Sequence, residues 1–419
     1  MRFSIGVVLL TPLLGRLVVS DGGGNTLAQF ALDKILQEGR DVFGDLDESS
    51  SSSPLTTTTT TTSSFSEVFT HGYSRHARWM AALPDSIPLT HLNIPGTHDA
   101  ATWNYTQSTQ DSLTTATRCD GTVPRPARVY QCQRKSILAS LEAGIRFFDL
   151  RFALDPLDSR IAFWHGPAYL SDVATLEDVL FGFYGWLDTH PSEMVLLSLQ
   201  YESGTRVNAT SDEGVQRKLF DTLTSTLARR YVHQARGVLG TLGDVRGKIV
   251  LFRRFDLDAL PGGYEERMPG LHMSPGKWLD NERSGFELVY NSTIKNGSAF
   301  VEDYYHPDGF DTIPSNIDAK FAAVSTHLKQ AADGGELDHL FVTFTSGTHV
   351  EIETPVYPDV MALGSGGGGL GGSLGPMAVR GVNARLLDLL GEMKGKRLGV
   401  VVMDFFEEPG GLVDLLLGF

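Results

Sequence analysis

Short apolar runs alternate with longer stretches of helical period along most of this chain. Apolar-rich runs predict strands over Leu92–Ile94, Ile145–Phe152, Ile161–Trp164, Met194–Leu199, Ile249–Phe252, Leu340–Phe344 and Leu398–Phe405. Helical patterns fall between them, over Ile137–Ala143, Leu176–Thr189, Val215–Arg229, Ile317–Ala332 and Ala378–Met393. Strands separated by helices pair in parallel with the helices outside. Seven or eight such units predict an α/β fold, a TIM-type (β/α) barrel, irregular or incompletely closed, with an open doubly wound sheet as the alternative. The first strand is expected to stop at Pro95-Gly96, which turns the backbone and presents Thr97, His98 and Asp99.

The ends of the pattern differ from its middle. Residues 1–20, MRFSIGVVLLTPLLGRLVVS, have the basic start, short apolar core and small residue of a signal peptide, and Arg16 breaks a run already too short to span a bilayer. Residues 21–66 contain a Ser/Thr tract that cannot bury a core and read as a disordered linker, although Leu27, Phe30, Ile35 and Leu36 could line a short helix. The barrel is then 67–419. The glycine run at 364–375 follows no strand and no GxGxxG stands at the first strand–helix turn, so the run is a loop insertion rather than a phosphate cradle. The C-terminal GLVDLLLGF is too short to anchor the chain, so no transmembrane anchor is expected.

Composition narrows the partners. The 419 residues are 41% hydrophobic, enough for one large core, and the formal charge of −15 argues against nucleic acid. Secretion makes the two cysteines, Cys119 and Cys132, candidates for one disulfide, and the sequons at Asn104, Asn208, Asn291 and Asn296 fit an extracellular glycoprotein.

In a barrel, chemistry gathers at the C-terminal strand ends. His98-Asp99 ends the first strand; Asp149 and Arg151 share a face of the second; His165 ends IAFWH; Asp404 interrupts an apolar last strand. Two imidazoles and a guanidinium suit phosphodiester chemistry: one imidazole removes a proton, the other delivers one, and the arginine holds the phosphoryl oxygens. A metal-binding His-Asp site is the competing reading. The other histidines, His306 and His349 among them, show no metal-like spacing; His306 is the one expected near a pocket.

The blocks LPDSIPLTHLNIPGTHDAAT, AGIRFFDLR, WHGPAYL, HPSEMVLLSLQ, RGKIVLFRR, LFVTFTSG and VVMDFFEE, in that order, resemble the bacterial-type phosphatidylinositol-specific phospholipase C family, in a eukaryotic, fungal-looking secreted version. The resemblance implies a phosphodiesterase that cleaves phosphatidylinositol, or glycosylphosphatidylinositol anchors, at a membrane surface, giving a cyclic inositol phosphate and diacylglycerol. It makes His98 the general base with Asp404 behind it, His165 the general acid with Asp99 behind it, Arg151 the phosphate ligand and Asp149 its support. Arg254, Asp303, Tyr305 and Trp278 match the inositol pocket. Because calcium-dependent relatives place a metal where this chain has Arg151, the resemblance implies no metal and no cofactor; a monomer is expected. The alternatives are a metal-dependent phosphodiesterase acting on another glycerophospholipid or sphingomyelin, and a catalytically silent barrel that binds inositol lipids.

Overall fold

The computed structural model describes residues 37–45, 75–114, 123–366 and 378–419. The signal segment, the Ser/Thr tract, Cys119 and most of the glycine insertion lie outside the described residues.

Thirteen strands follow in chain order: β1 Ile94–Thr97, β2 Phe147–Leu154, β3 Ile161–His165, β4 Ala168–Tyr169, β5 Val195–Tyr201, β6 Ile249–Arg254, β7 Leu271–His272, β8 Phe286–Val289, β9 Ser298–Glu302, β10 Leu340–Phe344, β11 Gly364–Ser365, β12 Val379–Arg380 and β13 Val400–Met403. The main sheet runs β7-β6-β5-β2-β1-β13-β10-β9-β8. Along this path every pairing is parallel except β8 with β9. Among the described residues β7 and β8 do not pair, so the α/β barrel is incompletely closed, as expected.

One alternation organises the barrel. Inward positions start apolar and end polar: Phe147, Asp149 and Arg151 on β2; Leu196, Ser198 and Gln200 on β5, followed by Glu202; Val250, Phe252 and Arg254 on β6; Val400 and Val402 on β13, followed by Asp404. The apolar members form one cluster inside the barrel. Outward neighbours, Phe148, Leu150, Leu197, Leu199, Leu251 and Val401, form another with the covering helices. The helix Leu176–Thr189 shows why such segments are helical: Thr175 and Asp178 close a capping box, and Val179, Leu180, Phe183, Trp186 and Leu187 make one buried face.

Several expectations are corrected. Strand β1 runs through Pro95 and Gly96 instead of stopping there. Pro95 has no N–H to offer, but its carbonyl accepts from Arg146 N at 2.9 Å. Gly96 is required by closeness, since an added Cβ would stand 2.9 Å from Phe147 Cβ. Strand β3 is not a barrel unit: it pairs antiparallel with β2 and brings His165 to the rim from a hairpin. Helix 215–229 is divided, with Glu213–Thr224 ending at Ser225 and a turn over Ala228–Tyr231. Strands β11 and β12 pair at the base of the glycine insertion.

Part of the expected linker packs on the barrel. Residues 37–43 are helical, Val42 and Phe43 are buried, and Phe43 meets Phe183 edge-on at 5.3 Å. Trp103 Nε1 donates to Val42 O at 2.8 Å and Asn104 Nδ2 to Asp41 O at 2.6 Å, tying this segment to the barrel. No described helix is long and apolar enough to cross a membrane.

Candidate active site

The polar tops of β1, β2, β5, β6, β9 and β13 and the end of β3 meet around a cavity of about 450 Å³ lined by His98, Arg151, His165, Arg254, Trp278, Asp303, Tyr305 and Asp404, among others. All ten residues expected of the site thus meet here: eight line it, and Asp99 and Asp149 stand behind Arg151.

His98 is fixed at both nitrogens. Arg151 Nη2 donates to His98 Nε2 at 2.8 Å, so the proton lies on Nδ1, which donates to Asp404 Oδ1 at 2.9 Å. Burial, then the charges of Arg151 and His165, hold His98 well below the usual histidine range; it stays neutral at physiological pH. Burial raises Asp404 well above the usual carboxylate range, making it a stronger acceptor for the Nδ1 proton. Gln133 Nε2 donates to His98 O at 2.7 Å and Met403 O at 2.8 Å, locking the ends of β1 and β13 together.

His165 faces His98 edge-on, with ring centroids 6.3 Å apart. Its Nδ1 donates to Tyr130 O at 2.9 Å, which leaves Nε2 as its second nitrogen for chemistry. Burial and Arg151 lower it to about 4. Asp99 belongs to neither histidine alone. One oxygen is 3.3 Å from His165 Nδ1 and 3.4 Å from His98 Nε2, and the other is 3.2 Å from Arg151 Nε. Burial raises Asp99 to about 7 against the opposing pull of Arg151. Asp149 stands 3.6 Å from Arg151 Nε and 3.7 Å from Arg254 Nη1, and is held by a 2.9 Å hydrogen bond from Ser198.

The rest of the pocket is aromatic and charged. Arg254 Cζ lies 3.7 Å over the Trp278 ring, whose Nε1 donates to Asp303 Oδ2 at 2.9 Å. Trp278 also packs edge-on against Phe286 at 5.5 Å, so it fills the core with one edge and lines the pocket with another. Tyr305 is half-exposed at the mouth, its hydroxyl donating to Asp280 at 2.9 Å.

Residues 127–255 match the family model "Phosphatidylinositol-specific phospholipase C, X domain". The chain is 26% identical over 278 residues to 1-phosphatidylinositol phosphodiesterase of Staphylococcus aureus, covering 64% of this chain and 74% of the relative. It is 34% identical over 176 residues to the enzyme of the same name from Listeria monocytogenes, covering 42% and 47%. Residues 127–255 thus match the X domain, and the chain is similar to bacterial phosphatidylinositol-specific phospholipases C. A human protein, PI-PLC X domain-containing protein 1, is 27% identical over 264 residues, covering 57% of this chain and 76% of the relative. The fold agrees: a solved phosphatidylinositol-specific phospholipase C from S. aureus superposes with a TM-score of 0.57 at 23% identity, over 82% of this chain and 97% of that one.

Sequence reasoning missed Glu202. Its carboxylate is 3.7 Å from Arg151 Nη1 and accepts from Gly166 N at 2.8 Å, tying the hairpin that carries His165 to the rim. Burial raises it above the usual carboxylate range, against the pull of Arg151. The signal was present, because Ser198, Gln200 and Glu202 continue the inward alternation of β5 past its end. Cys132 is a buried thiol beside this cluster; Cys119, its expected partner, lies outside the described residues.

Proposed function

We propose that this protein cleaves phosphatidylinositol between phosphate and diacylglycerol by attack of the inositol 2-hydroxyl on phosphorus. The observation that carries the reading is Arg151 set between two imidazoles, touching His98 while the His165 ring faces it. The phosphodiester anion takes the guanidinium donors, and His98 Nε2, released from Arg151, accepts the proton of the 2-hydroxyl. As the new P–O bond forms, the bond to the glycerol oxygen breaks and His165 Nε2–H protonates that oxygen. The same anion offsets the Arg151 charge that depresses His165, so the acid carries its proton when substrate is bound. Nucleophile and phosphorus belong to one molecule, so the site's task is alignment; the product is an inositol 1,2-cyclic phosphate. Arg254 and Asp303 are placed to hold ring hydroxyls, with Tyr305 and Trp278 as apolar walls.

Arg151 in the phosphate position supports chemistry without a catalytic metal. On phosphatidylinositol vesicles, turnover is expected to persist in excess chelator; loss of turnover restored by calcium would overturn this reading. The N-terminal signal pattern supports a secreted enzyme, which would meet phosphatidylinositol or a glycosylphosphatidylinositol anchor at a membrane surface. The Cys119–Cys132 disulfide is part of the same proposal; two free thiols in non-reducing mass spectrometry of secreted protein would refute it.

A further inference from the structure

Beside the substrate pocket, a second groove of about 1010 Å³ is lined by Arg125, Tyr305, His306, Asp308, Thr348 and Glu351, among others. Here the loops after β9 and β10 run together, with Thr348 N donating to Tyr305 O at 2.8 Å. One ring nitrogen each of His306 and His349 and a Glu351 oxygen lie within 4.8 Å of one another, and the two rings are 4.3 Å apart.

Each of these groups is oriented from behind. Asn316 Nδ2 donates to Phe310 O and Thr312 O, so its Oδ1 faces His349 Nδ1 at 2.8 Å. The His349 proton is therefore on Nδ1, and Nε2 carries the lone pair on a side chain only 7% exposed. Asp308 Oδ1 takes the His306 Nδ1 proton at 2.7 Å, leaving Nε2 as the ligating atom, 3.1 Å from Glu351 Oε2. Arg125 holds the other Glu351 oxygen at 2.7 Å. The backbone of His306 is clamped as well, by paired hydrogen bonds with the Asn281 side chain. Two imidazoles and one carboxylate, each backed by an outer partner, are the donor set of a zinc-type centre that keeps a position for water. A tetrahedral ion with bonds of about 2.0–2.1 Å sets ligand atoms roughly 3.3 Å apart, a spacing His306 and Glu351 already have.

We propose that His306, His349 and Glu351 bind a divalent transition-metal ion of the zinc class, which cross-links the loops after β9 and β10 at the pocket mouth. Binding takes the His306 Nε2 lone pair, the His349 Nε2 lone pair and a Glu351 oxygen, with no bond broken in the protein. The imidazoles select against calcium and magnesium, which take oxygen ligands. The ion is outside the reaction; it fixes the loops that carry Asp303, Tyr305 and Thr348.

The test is titration of the metal-stripped full chain with Co²⁺, followed by visible absorption, and with Zn²⁺ against a chromogenic chelator. One ion per chain is expected, with the d–d bands of a four- or five-coordinate Co²⁺ and a rise in unfolding temperature. Glu351→Gln and His306→Ala should abolish this binding, and Asp308→Asn should weaken it roughly 10- to 100-fold. Glu351 is exposed, so Glu351→Gln should keep the unfolding temperature of the metal-stripped wild type. Cys132 lies within metal-ligand reach of His98 and Asp404 in the active site, so Cys132→Ser separates the two places and should leave binding intact. Absence of binding in the wild type, or binding that survives Glu351→Gln but falls in Cys132→Ser, overturns the proposal.

Discussion

Arg146, just before β2 at the base of the barrel, and Arg151, within β2 toward the mouth, are bonded in opposite ways. Arg146, at the base, is fully buried and spends all its donors on the protein: Nε and Nη2 on Glu193 at 3.1 and 2.7 Å, Nη1 on Leu141 O and Ile145 O, and Nη2 on Ala77 O. Arg151, at the mouth, has three carboxylates within 3.2–3.7 Å, yet its Nε makes no hydrogen bond among the described residues and Nη2 goes to His98. A guanidinium with every donor satisfied holds structure; one held by charge, with donors left to give, is ready for an anion. The same contrast separates Glu193, bonded to Arg146, from Asp99, whose Oδ2 is buried without a hydrogen bond among the described residues.

Substitutions should break this comparison in order of size. His98→Ala removes the proposed base beside Arg151, and the rate on phosphatidylinositol should fall by roughly 10²- to 10⁴-fold with unfolding unchanged. An unaltered rate would remove His98 from the chemistry. Arg146→Met strands the Glu193 carboxylate, and the denaturation midpoint should drop by the equivalent of about 3–5 kcal/mol while the folded fraction keeps its turnover. If activity per folded molecule falls instead, the base and the rim of the barrel are not separate in function. Arg151→Lys keeps a charge among the carboxylates but loses the planar fork; roughly 10²- to 10³-fold should be lost in turnover, with little change in the midpoint.

The smallest effect is one of pH. The proposed mechanism needs His98 neutral and His165 protonated, and in the free protein both lie below the usual histidine value, with His165 near 4. The bell of kcat/KM, which reports free enzyme, should therefore centre on the acid side of about 6.5. The bell of kcat should sit at higher pH, because the bound phosphodiester raises His165. A flat profile between about pH 5 and 9 would rule out the two-histidine assignment.

The barrel and its polar rim were legible in the sequence because inward alternation and strand ends are local patterns. Asp149 and Arg151 on β2 and Asp404 after β13 needed no more than that. Strand β9 was not legible. Its outward Glu302 would mark a solvent-facing edge, but Lys320 of the covering helix Ile313–Ala332 meets it at 2.9 Å, both fully buried. A charge cancelled eighteen positions away leaves no trace in a strand pattern. The direction of β3 was hidden for a related reason, since its run of Ile161, Phe163 and Trp164 is equally apolar in either direction. The loop histidines show the limit most clearly: His306 and His349 have no metal-like spacing and meet only because two strands place their loops side by side.

The most direct measurement is phosphorus NMR of phosphatidylinositol vesicles during turnover by the purified chain. The account predicts that a cyclic inositol phosphate resonance appears first, with none formed by the His98→Ala protein. Linear inositol phosphate without a cyclic precursor, or cleavage of phosphatidylcholine in place of phosphatidylinositol, would contradict it.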